Sequence, residues 1–150
     1  MNKVMKVLAN GFGVAILLLC THVTHARDVK SMYSIEDALQ SPIAQEILSD
    51  DIQFYFGEGN HPDIKRDFGN FQSNKKSNGV GRSNERVCER AFLSAMKSLR
   101  DRARTEGGDA VVNIISYYRR NKKSSATEFE CGSGSIMSGV TLRGDVVKLK

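Results

Sequence analysis

Little in these 150 residues offers itself to catalysis. There is no GxxxxGK[ST] phosphate loop, no HExxH, no CxxC pair and no GxSxG serine elbow. Their absence excludes P-loop nucleotide hydrolysis, zincin-type proteolysis, thioredoxin-like exchange and α/β-hydrolase chemistry by the usual routes. No internal repeat or coiled-coil heptad is present, which excludes solenoids and long zippers. Histidine and cysteine occur three times each. The apolar run from Val14 to Cys20 is far shorter than the roughly 20 residues that span a bilayer.

That run instead belongs to a secretory signal over residues 1–26. Lys3 and Lys6 form the positive start, Val14 to Cys20 the apolar centre, and Thr24-His25-Ala26 the small-residue exit. Cleavage after Ala26 is expected. Cys20 is preceded by Leu19, where lipoprotein processing needs a small residue, so lipidation is not expected. Losing two lysines leaves 20 basic against 17 acidic residues, a net charge near +3. It also leaves one histidine, His61, and two cysteines, Cys88 and Cys131. Two cysteines in an exported chain invite one disulfide, with two buried thiols as the alternative.

Residues 27–150 read as a single α+β domain with its core in 85–149. Cys88, Phe92, Ala95, Met96, Leu99 and Ala103 recur at helical spacing, with Glu89, Lys97, Arg100, Asp101, Arg104 and Glu106 largely opposite. Gly107-Gly108 supplies the stop. The run from Asp109 to Tyr118 is apolar and β-branched, the pattern of a central strand. Ala126 to Cys131 alternates, placing Thr127, Phe129 and Cys131 on one face and Glu128 and Glu130 on the other. The two strands are expected to form an antiparallel hairpin around the charged turn 119–125. In the last strand, Gly132, Gly134, Gly139 and Gly144 read as bends or bulges. Gly132-Ser133-Gly134 is a GxG fragment without a following helix, so it is not a phosphate cradle.

The N-terminal half is weaker. Ser34 and Ser41-Pro42 begin two short helices or one broken helix. Ile52, Phe54 and Phe56 alternate as a strand ending at the turn 57–62, with 64–72 as its hairpin partner. Residues 73–84 are polar and glycine-containing, the composition of a loop.

Site chemistry is sparse. His61 sits in a turn without a second histidine, and the acid pairs Asp50-Asp51 and Glu128/Glu130 read as solvated. Neither catalytic residues, metal ligands nor a cofactor is expected. Arg119, Arg120, Lys122 and Lys123 form a candidate contact for an anionic surface. Export argues against nucleic acid. No membrane span remains after signal cleavage.

Three stretches carry a resemblance: 33–62 (YSIEDALQSPIAQEILSDDIQFYFGEGNHP), 88–118 (CERAFLSAMKSLRDRARTEGGDAVVNIISYY) and 129–144 (FECGSGSIMSGVTLRG). Together they resemble a family of small exported bacterial proteins labelled "excinuclease ATPase subunit". An excinuclease ATPase needs phosphate loops and zinc-binding cysteine pairs that this chain lacks. The order helix, Gly-Gly, strand, Cys-Gly-Ser is also similar, more distantly, to the YbjQ-like fold and the RcsF-type envelope stress sensors. That resemblance implies one long helix on a mainly antiparallel sheet, with Cys88 and Cys131 oxidised. It further implies a non-enzymatic periplasmic or secreted protein of a Gram-negative envelope, binding a protein or envelope component in stress sensing or assembly. The alternative is a YbjQ-type module for a small molecule or metal; a third reading is a hydrolase with an unrecognised site. Exposed apolar surface beside the basic turn favours a partner, whereas a pocket of converging polar groups at His61 or Asp50-Asp51 favours a ligand or an enzyme.

Overall fold

A computed structural model describes residues 28–48 and 51–150. The signal segment 1–26, with Cys20, and Asp50 of the acid pair lie outside the described residues. The chain forms β1 (Val29–Ser34), α1 (Ile35–Gln40), α2 (Pro42–Ile47), β2 (Gln53–Phe56) and β3 (Ile64–Asn78). Then come α3 (Asn84–Glu106), β4 (Ala110–Ser116), a 3-10 turn (Tyr118–Arg120), β5 (Glu128–Ser133) and β6 (Met137–Leu149). This is an α+β arrangement on a curled, mostly antiparallel six-stranded sheet.

Strand β6 is the hub. Along one side it pairs antiparallel with β3, from Ile64↔Leu149 to Asn78↔Met137. Along the other it pairs first with β4, from Ala110↔Val147 to Ser116↔Leu142, and then with β5 at Gly132↔Gly139 and Ser133↔Ser138. β1 extends the sheet antiparallel to β5, and β2 runs parallel to β4.

Three expectations are corrected. β4 and β5 make no hairpin, because β6 offers β4 a longer antiparallel partner; only a Ser116↔Lys123 bridge closes the intervening turn. β2 does not pair with β3 but docks parallel on β4. Residues 73–78 are strand, not loop: the backbone of this edge segment is paired by β6, so strand formation needs no large apolar side chains.

Helix α3 follows its sequence signals. The Ser83 hydroxyl accepts from the Arg86 N–H at 3.4 Å, and Gly107 closes the helix at φ 81°. The predicted stripe is buried against the sheet. Arg100 departs from expectation: it is buried because α2 packs over it, and its guanidinium donates to the Ile47 carbonyl at the C-terminal end of α2 and to Asp101. Both short helices carry serine caps, Ser34 to the Asp37 N–H and Ser41 to the Ala44 N–H, with Pro42 in the first turn of α2.

Helix α3 packs chiefly across β6 and β3 and makes its aromatic contact at β5. Phe92 stacks on Phe129 with centroids 4.2 Å apart, flanked by Phe56 and Tyr33. One helical turn before Phe92 and two residues beyond Phe129, Cys88 and Cys131 are joined in a fully buried disulfide. A smaller cluster on the other face of the sheet, built on Ala110, Val112 and Val147, explains the uniformly apolar β4.

Gly134 lies in the turn that leads from β5 into β6, its N–H bonding the Met137 carbonyl at 2.9 Å, while Gly132 and Gly144 serve close approach rather than bends. Gly132, Gly139 and Gly144 have ordinary negative-side backbone conformations, and the sheet irregularities fall in β3 and β4 instead. A Cβ on Gly132 would lie 2.0 Å from the Tyr118 ring. Gly132→Ala therefore expels Tyr118 and costs about 1–3 kcal/mol, read as a lower denaturant midpoint, whereas Gly134→Ala, where a Cβ meets only the Met137 carbonyl at 3.4 Å, should stay within about 0.5 kcal/mol.

Candidate functional site

The irregularity in β4 builds the most organised polar region of the described residues. Between Val112 and Ile115 the register slips, and Asn113 adopts φ 52°, the left-handed region that asparagine tolerates better than most residues. Its side chain explains why this position is held. The Asn113 Oδ1 accepts the Gly59 N–H at 2.9 Å from the loop after β2, and its Nδ2 donates to Asp145 Oδ2 at 2.8 Å. Asp145 Oδ1 accepts from Asn70 Nδ2 at 2.6 Å, and Asn70 Oδ1 in turn accepts from Arg143 Nε. Asn70 lies on β3, opposite Asp145.

Arg143 and Asp145 are two apart on β6, so they share a face. Among the described residues they form no ion pair with each other, and neither pairs with another charged group; Asn70 bridges them. The Arg143 guanidinium lies 5.0 Å from the centre of the Tyr117 ring. With its Nε on Asn70, this leaves the two terminal nitrogens without a partner among the described residues.

These groups line a half-open cleft of about 540 Å3, whose rim carries His61 and the pair Glu58–Lys122 at 2.5 Å. His61 Nδ1 lies 2.8 Å from the Pro62 carbonyl, turned to its own neighbour rather than to a carboxylate. No serine, threonine or cysteine lines the cleft. Asp51, of the other acid pair, is clamped by Arg104 through two contacts of 2.7 Å on the helix side. No three His, Cys, Asp or Glu side chains converge as metal ligands among the described residues.

No protein-family model, no curated protein and no solved structure matches this chain. The site is therefore read from its own chemistry.

The four basic residues of the turn do not form one patch. Arg119 and Arg120 both have positive φ, and Arg119 meets Asp28 at 2.7 Å. Lys122 reaches Glu58 in the cleft instead, and Lys123 is bridged through its backbone to Ser116. The exposed pairs are screened and contribute roughly 0–1 kcal/mol each. Beside Arg119, the Tyr118 phenol donates to Asp28 from a ring lying on Gly132. Burial, and then the Asp28 carboxylate, push that phenol above its ordinary range, so it stays a donor at neutral pH. Glu130, expected on the solvated face, is buried, its N–H donating to the Ser116 hydroxyl at 2.8 Å. The turn after β4 covers this side of β5, with Tyr118 seated on Gly132.

A second surface lies at the end of the sheet where β1 begins and β5 turns into β6. Val29, Val80, Ile136 and Met137 are 51, 69, 61 and 47 % exposed. The Gly79 N–H bonds the Ile136 carbonyl at 2.7 Å, which sets Val80 beside Ile136 and Met137, while Val29 begins β1 opposite Ser133. Met137 shares a shallow cleft with Lys76 and Arg119.

The cleft residues Asn70, Asn113, Arg143 and Asp145 are absent from the sequence-based reading. One signal was available: an asparagine inside the β-branched run AVVNIIS marks a position where the strand gives up regularity for a polar side chain.

Proposed function

We propose that this is an exported, non-enzymatic binding protein of a Gram-negative envelope, acting in stress sensing or assembly and not as an ATPase. The partner is an envelope protein presenting acidic side chains around an apolar patch. The observation that carries this reading is the exposed group Val80, Ile136 and Met137, with Lys76 and Arg119 beside Met137. Exposed apolar side chains edged by charge, here Lys76 and the Arg119–Asp28 pair, are the character of an interaction surface. The buried Cys88–Cys131 bridge supports an oxidising compartment. Among the described residues no helix is long and apolar enough to cross a membrane. We also assign the fold to the YbjQ/RcsF type, supported by the order of α3, Gly107-Gly108, β4 and the Cys-Gly-Ser of β5.

A photo-crosslinking residue placed at Ile136 in living cells tests the docking surface, with Lys97 on the exposed side of α3 as control. The expected result is a discrete protein adduct at 136 and not at 97, reduced about tenfold by Arg119→Glu through loss of charge complementarity. Equal labelling at the two positions, or an adduct indifferent to Arg119→Glu, overturns the surface.

The polar cleft favours a second reading, a small-molecule-binding module. The metal-binding form of that alternative gains no ligand cluster from the described residues.

A further inference from the structure

We propose that the cleft on β6 binds a free α-amino acid as its zwitterion, with Arg143 receiving the carboxylate and Asp145 the ammonium. The inference rests on the small-molecule reading and names its ligand; it is independent of the docking rim.

The juxtaposition that carries it is an opposite-charge pair held close but unpaired. Arg143 and Asp145 project from one face of β6 at i and i+2, roughly 7 Å apart along the strand. Flexible neighbours of opposite charge ordinarily meet. Here Asn70 stands between them, accepting from Arg143 Nε and donating to Asp145 Oδ1 at 2.6 Å, while Asn113 fixes the second Asp145 oxygen at 2.8 Å. Two amides orient the carboxylate and leave it further lone pairs for a donor. The guanidinium is likewise fixed by Asn70 and by the Tyr117 ring, and its terminal nitrogens stay uncommitted among the described residues. That leaves a planar two-donor edge, the shape that receives a carboxylate through two parallel hydrogen bonds.

An α-amino acid carries both complementary charges on one carbon, and so can answer both groups at once. A dianionic phosphate meets Arg143 equally well but is repelled by Asp145, while Glu58 across the cleft is met by Lys122. A simple amine meets only Asp145. The cleft, at about 540 Å3, is at the small end of ligand sites. The strain at Asn113 fits the same account, since a non-glycine residue held at positive φ in a strand is retained where its side chain performs a task. That task is to tie the Gly59 loop, the cleft wall and Asp145 into one rigid unit.

The test is a titration of the full protein, followed by amide NMR shifts, with glycine, D-alanine, L-alanine, acetate, methylamine and inorganic phosphate as separate probes in low-salt buffer. The expected result is saturable shifts at Gly59, Asn113 and Asp145 with at least one amino acid, and about tenfold or weaker binding of acetate and of methylamine. Arg143→Gln should weaken amino-acid binding about tenfold, with the disulfide-bonded fold checked by its unchanged amide spectrum outside the cleft. Should that variant misfold, the comparison of the three amino acids with acetate and methylamine on the unaltered protein decides alone. Acetate or phosphate binding as tightly as the amino acids overturns the zwitterion assignment while leaving a small-molecule site. No shift with any probe overturns the inference and the small-molecule reading with it. Shifts confined to residues outside the cleft overturn the location.

Discussion

The double variant Cys88→Ala/Cys131→Ala should melt about 8–20 °C below the unaltered protein, the largest loss expected from any pair of small substitutions. The bridge spans a sequence separation of 43. The chain-entropy treatment gives about 4 kcal/mol for a loop of that size, and removal of native bridges costs roughly 2–5 kcal/mol. In a domain of this size each kcal/mol is worth about 4 °C. Both sulfurs are fully buried, so alanine also leaves a small void between α3 and β5. For the same reason dithiothreitol should leave the bridge closed until denaturant is added, as followed by mass change after alkylation. A melting temperature within about 2 °C of the unaltered protein would sink the view that the bridge holds helix to sheet.

Phe92→Ala should cost about 3–5 kcal/mol, the range for emptying a buried aromatic site. The ring is wholly buried, stacks on Phe129 at 4.2 Å and also meets Phe56 at 6.1 Å, so its deletion removes packing on two strands at once. Phe92→Leu keeps most of the volume and should cost about 1–2 kcal/mol. Arg90→Ala, an exposed neighbour on the same helix, should stay within about 0.5 kcal/mol. Urea titrations of the three variants separate these outcomes. Cys88 and Phe92 are one helical turn apart, and Cys131 and Phe129 are two residues apart on β5, so the two ties join the same surfaces. Their effects should therefore be non-additive in a double-mutant cycle. Simple addition would mean that the bridge and the aromatic stack act on different parts of the fold.

The sequence showed most clearly what is periodic and local. The stripe from Cys88 to Ala103 and the serine caps at Ser34 and Ser41 each depend on neighbours within a few residues, and each is found in the structure. Strand partnership depends instead on distant segments. The run at 110–116 carries no mark telling β6 from β5 as its partner, so proximity in sequence pointed to the wrong hairpin. Residues 73–78 read as loop because an edge strand takes its order from its neighbour's backbone rather than from apolar side chains. The N-terminal strand Val29–Ser34 was missed for a similar reason, since half its residues are polar and its pairing is with β5, about 100 positions later. The cleft was hidden most thoroughly. Gly59, Asn70, Asn113 and the Arg143/Asp145 pair come from four separate stretches and meet at the bulge in β4.

The hub role of β6 also fixes a sequence of events. Until residues 137–149 leave the ribosome, β3 has no partner along its length, β4 has only the four residues of β2 beside it, and β5 can reach only β1. A nascent chain stopped short of that point cannot close its sheet or bury α3 properly.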